Sequence, residues 1–126
     1  MLASMRLTLD SDPSIHLVRR YGEGEIVVGE QRIARPLIIT PKRLVLDWTA
    51  PSFSELAPPH LEALFALGAE VVLLGAGERQ LFASAAVRER FRARGIALEC
   101  MTLGAACRTY NILANEQRAV AAGLFP

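Results

Sequence analysis

The sequence predicts an α/β domain, with an antiparallel meander in its first half and parallel βαβ pairing in its second. Three observations carry this expectation. Beyond residue 70, apolar strand-like runs alternate with helical ones. Before residue 50, short β-rich runs follow one another with only tight glycine or proline breaks between them. The chain has 126 residues, 52% hydrophobic and 21% charged, which suits a single domain spanning 1–126 with one sizeable core and argues against disorder.

Taken in order, residues 15–21 alternate well enough for a strand, and Gly22 and Gly24 break it. Residues 25–28 resume in strand style, and Gly29 turns the chain toward Ile33. Residues 36–40 and 43–48 are two further β-rich runs around Pro41 and Lys42, and Pro36 suits a first strand position, where a missing N–H costs least. Trp48 is the only tryptophan, and capping the edge of the core is its favoured role over an aromatic binding platform. Residues 50–59 hold three of the seven prolines and read as a hinge, in which Ser52 and Glu55 have the spacing of a capping box that starts a brief helical turn.

Pro58 and Pro59 then open a helix with Leu61, Leu64 and Phe65 on one face, ended by Gly68. His60 in its first turn reads as a solvated surface histidine. Residues 70–74 form a near-continuous apolar run, as a strand covered on both faces requires, and residues 75–77 end it. Residues 84–94 read as a helix capped by Ser84, with Val87 and Phe91 inward. Its arginines at 88, 90, 92 and 94 step by two, so they scatter over a solvated face and form no single stripe. After Gly95 come a strand at 96–101, a helix from about Gly104 to Asn115, and a closing strand at 118–124. The two βα junctions, at 75–77 and 102–104, are then expected on the same edge of a parallel pair, where α/β proteins often bind ligands.

Composition excludes several function classes. With 14 basic and 13 acidic residues the net charge is +1, which gives no general pull toward nucleic acid or anionic lipid. No apolar run approaches the length of a membrane span, and residues 1–12 lack the apolar core of a secretory signal, so a cytoplasmic protein is expected. Cys100 and Cys107 lie in no metal-binding spacing and stand far in sequence from His16 and His60, so no metal site is expected. A disulfide between them is disfavoured, because a strand end and the next helical turn seldom meet its geometry. The glycines at 75 and 77 lack the third glycine of a dinucleotide fingerprint and the lysine of a phosphate loop, so no cofactor is expected.

The candidate ligand-binding residues are Gly75, Gly77, Gly104, Cys107, Arg108 and Asn111. Helical pitch groups Cys107, Arg108, Asn111 and Asn115 on one side of the last helix, and Ala106, Tyr110 and Leu113 on a core-facing side. Arg108 has the chemistry to hold an anion beside the helix's free N–H groups, and Cys107 next to it has a route to a lowered pKa. The favoured alternative is structural: Arg108 and Asn111 tie the helix to a neighbouring segment. No base near Cys107 in sequence completes a catalytic set, so no catalytic residue is assigned.

Residues 104–111, Gly-Ala-Ala-Cys-Arg-Thr-Tyr-Asn, followed by Leu113-Ala114 and residues 116–120, resemble the closing signature of a domain family of unknown molecular function. That family includes mitochondrial respiratory complex I (NADH dehydrogenase) assembly factor three and a cytosolic adipogenesis-associated protein. The resemblance runs nearly end to end, through Tyr21-Gly22, Trp48 and residues 71–77. It implies a compact three-layer domain with a mixed sheet and no established enzymatic activity. Two departures thin out the polar groups at the strand ends: Ala76 stands where the family often has threonine, and Thr102-Leu103 where it often has Asp-Thr. The resulting expectation is a non-enzymatic interaction module with a protein partner, assisting assembly of a respiratory or other membrane complex. Self-association is left open. The alternative is a small-molecule or anion site at the strand carboxyl ends, with weak enzymatic activity at most.

Overall fold

A computed structural model of the chain describes residues 14–126 together with the backbone of a short first strand, β1 (Met5–Arg6). The remainder of the segment on which the absence of a secretory signal was judged lies outside the described residues. The meander builds its own sheet: β1, β2 (Val18–Gly22), β3 (Glu25–Val28) and β4 (Gln31–Ile33) pair antiparallel in sequence order. A second sheet of five strands contains β5 (Leu37–Ile39), β6 (Leu44–Val45), β7 (Val71–Ala76), β8 (Ala97–Met101) and β9 (Val120–Phe125). Its order is β6-β5-β9-β7-β8, antiparallel from β6 to β9 and parallel from β9 to β8. The fold is therefore α/β with a mixed sheet, preceded by an antiparallel one.

Among the described residues three helices cover the mixed sheet: α1 (Pro58–Phe65), α2 (Ala85–Ala93) and α3 (Leu103–Asn115). Strand alternation divides the interior into two apolar layers. Val72, Leu74, Ala121 and Phe125 face one way and pack with Trp48, Leu61, Leu64, Val87 and Phe91. Leu37, Ile39, Leu73, Val120 and Leu124 face the other way and pack with α3 and the first sheet's Val18, Ile26 and Ile33. The helix α3 thus lies between two sheets, whereas α1 and α2 face the mixed sheet on one side only.

Several boundaries differ from the sequence reading, each for a local reason. Gly75 and Ala76 belong to β7, with Gly75 in register with Met101 and Leu124, and the turn comes at Gly77 (φ 62°). The strand expected from residue 15, β2, starts at Val18. Residues 43–48 contribute only Leu44–Val45 to the ladder, because the chain then leaves the sheet to bury Trp48 against Phe125 at 5.2 Å. Ser52 Oγ accepts from the Glu55 N–H at 3.2 Å, but what forms is a turn and no helix. The last strand begins at Val120, since Gln117 (φ 62°) and an Arg118 N–H bond to the Leu113 carbonyl close off α3 first. His60 is half-buried rather than solvated: its Nδ1 accepts the Ala57 N–H at 3.0 Å and caps α1.

Candidate functional site

The site is positioned by the way β7 is flanked. From β7 the chain crosses through α2 to β8 on one side, then returns through α3, on the opposite face, to β9 on the other side. The carboxyl ends of three parallel strands therefore meet where the connections diverge, the point at which an open α/β sheet forms a crevice. A cleft of about 590 Å³ lies there, lined by the Tyr21–Gly24 turn, Gly77, Glu78, Thr102, Gly104, Arg108 and the chain's last two residues.

The first turn of α3 is largely engaged by the protein itself. The Leu103 N–H donates to the Gly77 carbonyl at 3.0 Å, the Ala105 N–H to Thr102 Oγ1 at 3.2 Å, and the Ala106 N–H to the Thr102 carbonyl at 2.9 Å. Thr102, which the sequence reading treated only as a departure from the family pattern, is the residue that caps the helix. A Cβ on Gly104 would come to 2.5 Å from the Tyr21 hydroxyl, so glycine here leaves room for the Tyr21 ring over the start of the helix. Arg108 is exposed and donates from one guanidinium nitrogen to that same hydroxyl at 2.9 Å.

Of the six candidate residues, Gly77, Gly104 and Arg108 line the cleft. The other three lie beneath it. Gly75 faces α3 so closely that a Cβ there would fall on the Cβ of Ala106. Cys107 is fully buried, and desolvation pushes its thiol up to about 12, against a smaller lowering influence of Arg108. Burial thus works against the route to a reactive thiolate. Asn111 is buried as well, and its amide closes two bonds onto one residue of β2: Oδ1 accepts the Val18 N–H and Nδ2 donates to the Val18 carbonyl, both at 2.9 Å. It does for Val18 what a neighbouring strand would do, next to the irregularity in the β2–β3 register between Val18 and Arg20. Tyr110 donates to the His16 carbonyl at 2.7 Å, and burial raises its phenol above the usual range.

Pitch alone therefore misassigned one side of α3. Cys107 and Asn111 share the interior with Ala106, Tyr110 and Ala114, because a helix between two sheets buries a wider arc than one lying on a single sheet. Cys100 packs on the opposite face of the mixed sheet, so the two thiols are both free and are separated by the sheet. Sequence reasoning missed Tyr21, Glu23 and Glu78 as cleft residues. Their only signal was proximity to the glycines of two turns that are distant in sequence. Among the described residues no group of three or more His, Cys, Asp or Glu could hold a metal ion, and no helix is long and apolar enough to cross a membrane. Among the described residues the large apolar side chains left outside are Leu81, Phe82 (79% exposed) and Ile112 (58%).

This architecture defines an α/β domain whose closing signature joins a mixed sheet to an antiparallel one. The chain belongs to the DUF498/DUF598 family of proteins of unknown function, whose profile matches residues 18–125. It is similar to NADH dehydrogenase (ubiquinone) 1 alpha subcomplex assembly factor 3 of Danio rerio, 37% identical over 84 residues, or 65% of this chain and 48% of that protein. It is 28% identical to the 13 kDa major membrane protein of Francisella tularensis, over 81% of this chain and 84% of that one. Among solved structures, a Xanthomonas campestris protein is 40% identical with a TM-score of 0.80, covering 94% of this chain and 92% of its own. A Bordetella parapertussis protein is 31% identical with a TM-score of 0.83, covering 92% and 99%. The chain spans only about half the length of the Danio rerio assembly factor.

Proposed function

We propose that this domain is a non-enzymatic interaction module that helps a respiratory or other membrane complex to assemble. The observation that supports this best is how the signature is used. Asn111 is engaged with Val18, Tyr110 with the His16 carbonyl, and Cys107 is sealed in the core, so most of its polar chemistry holds two sheets together. A domain built this way presents surfaces. Kinship with the assembly factors suggests the kind of partner, and the outward Leu81, Phe82 and Ile112 offer apolar area for a protein to cover.

Affinity capture of the tagged chain from its native cells, quantified against a tagged control, should enrich respiratory or membrane-assembly proteins. Recovery of none would sink the reading. Fractionating the same cells tests the cytoplasmic location, which belongs to this proposal and not to the kinship, since one similar protein is named a membrane protein.

A second reading has its own support in the open cleft at the strand ends, with the Arg108 guanidinium in its wall. There a small anion or other small molecule would bind beside Gly77 and Gly104. Thermal shift with phosphate, nucleotides and small carboxylates discriminates: a ligand at 100 times its Kd adds about 2.7 kcal/mol and raises Tm by several degrees. No shift with any of them leaves the interaction module standing.

A further inference from the structure

The opposite end of the mixed sheet carries a second cleft, of about 570 Å³, at the amino-terminal ends of β7 and β9. Its walls include Thr40, Lys42, Arg43, Asn115, Gln117 and Arg118. Among the described residues every charged side chain in that lining is cationic, in a protein whose net charge is only +1. The nearest carboxylates along the chain, Glu70 and Glu116, each adjoin a lining residue but are not part of the lining. Among the described residues, none of the three cations takes part in an ion pair.

Two fixed turns present these cations. Thr40 Oγ1 accepts from the N–H groups of Arg43 at 2.8 Å and Lys42 at 3.3 Å, while the Thr40 N–H donates to the Arg43 carbonyl at 2.8 Å. Across the cleft, Gln117 in the left-handed region and the Arg118 N–H bond to the Leu113 carbonyl set the start of the Arg118 side chain. Arg118 also follows the carboxyl end of α3, where a cation is favoured for the helix's own sake. Lys42 and Arg43 sit on a different element, and that explanation does not reach them. A cationic, partly apolar groove built on rigid turns is pre-organised for an extended anionic chain.

We propose that this cleft docks an acidic segment of a protein partner, a proposal that rests on the interaction-module reading and gives it a surface. The test titrates the isotope-labelled full chain, followed by amide NMR, with an end-capped peptide of ten glutamates. Inorganic phosphate and phosphatidylglycerol vesicles serve as separate arms. Saturable shifts are expected at residues 40–43 and 115–119, weakening as salt screens the charges. The double variant Lys42→Ala/Arg43→Ala, verified to melt like the parent, should bind roughly tenfold more weakly. Absent or scattered shifts, or full affinity in that variant, would overturn the proposal. So would phosphate or vesicles reproducing the same shifts as strongly, which would make this a small-anion or lipid site. If the peptide fails while affinity capture still enriches assembly proteins, only the cleft assignment falls. If the capture fails while the peptide binds, the assembly role falls.

Discussion

The two sides of α3 differ more than their shared signature suggests. The inner side carries Ala106, Cys107, Tyr110, Asn111 and Ala114, all buried between two sheets. The outer side carries Arg108, whose one recorded hydrogen bond goes to the Tyr21 hydroxyl, and the exposed Ile112. What the difference teaches is that an unusual run of residues can be unusual for reasons of architecture. Small residues set the approach of helix and sheet, and one buried amide pairs with the backbone of Val18 as a strand would. Only Arg108 and the glycines beside it are left to face a ligand.

The comparison breaks most visibly at the closest approach. Gly75→Val should cost about 4 kcal/mol or prevent folding, since β7 and α3 must separate to admit the side chain. Urea denaturation of that variant showing parental stability would mean the two elements are not packed as described.

Asn111→Ala should come next, at about 2–3 kcal/mol, because it leaves both the N–H and the C=O of Val18 without their partner in the interior. Amide hydrogen exchange gives an independent check, with protection at Val18 expected to fall further than at Val28.

Cys107 supplies a pH-dependent prediction. The folded chain holds this proton to about pH 12, whereas an unfolded thiol releases it near pH 8.5. Above the unfolded value the unfolded state therefore binds fewer protons, and stability falls as pH rises, by about 1 kcal/mol per pH unit, until the folded thiol also ionises. Denaturation midpoints between pH 8 and 11 should fall less steeply in Cys107→Ala, and iodoacetamide should label the folded parent at Cys107 only slowly. Rapid labelling would place the thiol at the surface and overturn the inner assignment.

The smallest effect belongs to the outer side. Arg108→Ala should leave stability within about 0.5 kcal/mol, as expected for an exposed side chain with one hydrogen bond. A loss of several kcal/mol would move Arg108 to the structural side of the comparison. A neutral variant that also loses a thermal shift with phosphate would strengthen the second functional reading.

Sequence alone determined the local chemistry of this protein. The apolar run through β7, the Ser84 cap of α2, the helix-opening prolines of α1 and the strand–helix alternation are written in neighbouring residues, and local propensity reads them directly. It also singled out residues 104–111 as the stretch with the most to explain. Only the tertiary structure decided what that stretch faces. Val18 and Asn111 are 93 positions apart and Tyr21 and Arg108 are 87 apart, and no periodicity links them. A helical wheel assumes one buried side; the second sheet over α3 buries another, which turned Cys107 and Asn111 inward. The same reason hid the cleft of Lys42, Arg43 and Arg118, because charges scattered along a chain of net charge +1 line one cleft only when folding brings their turns together.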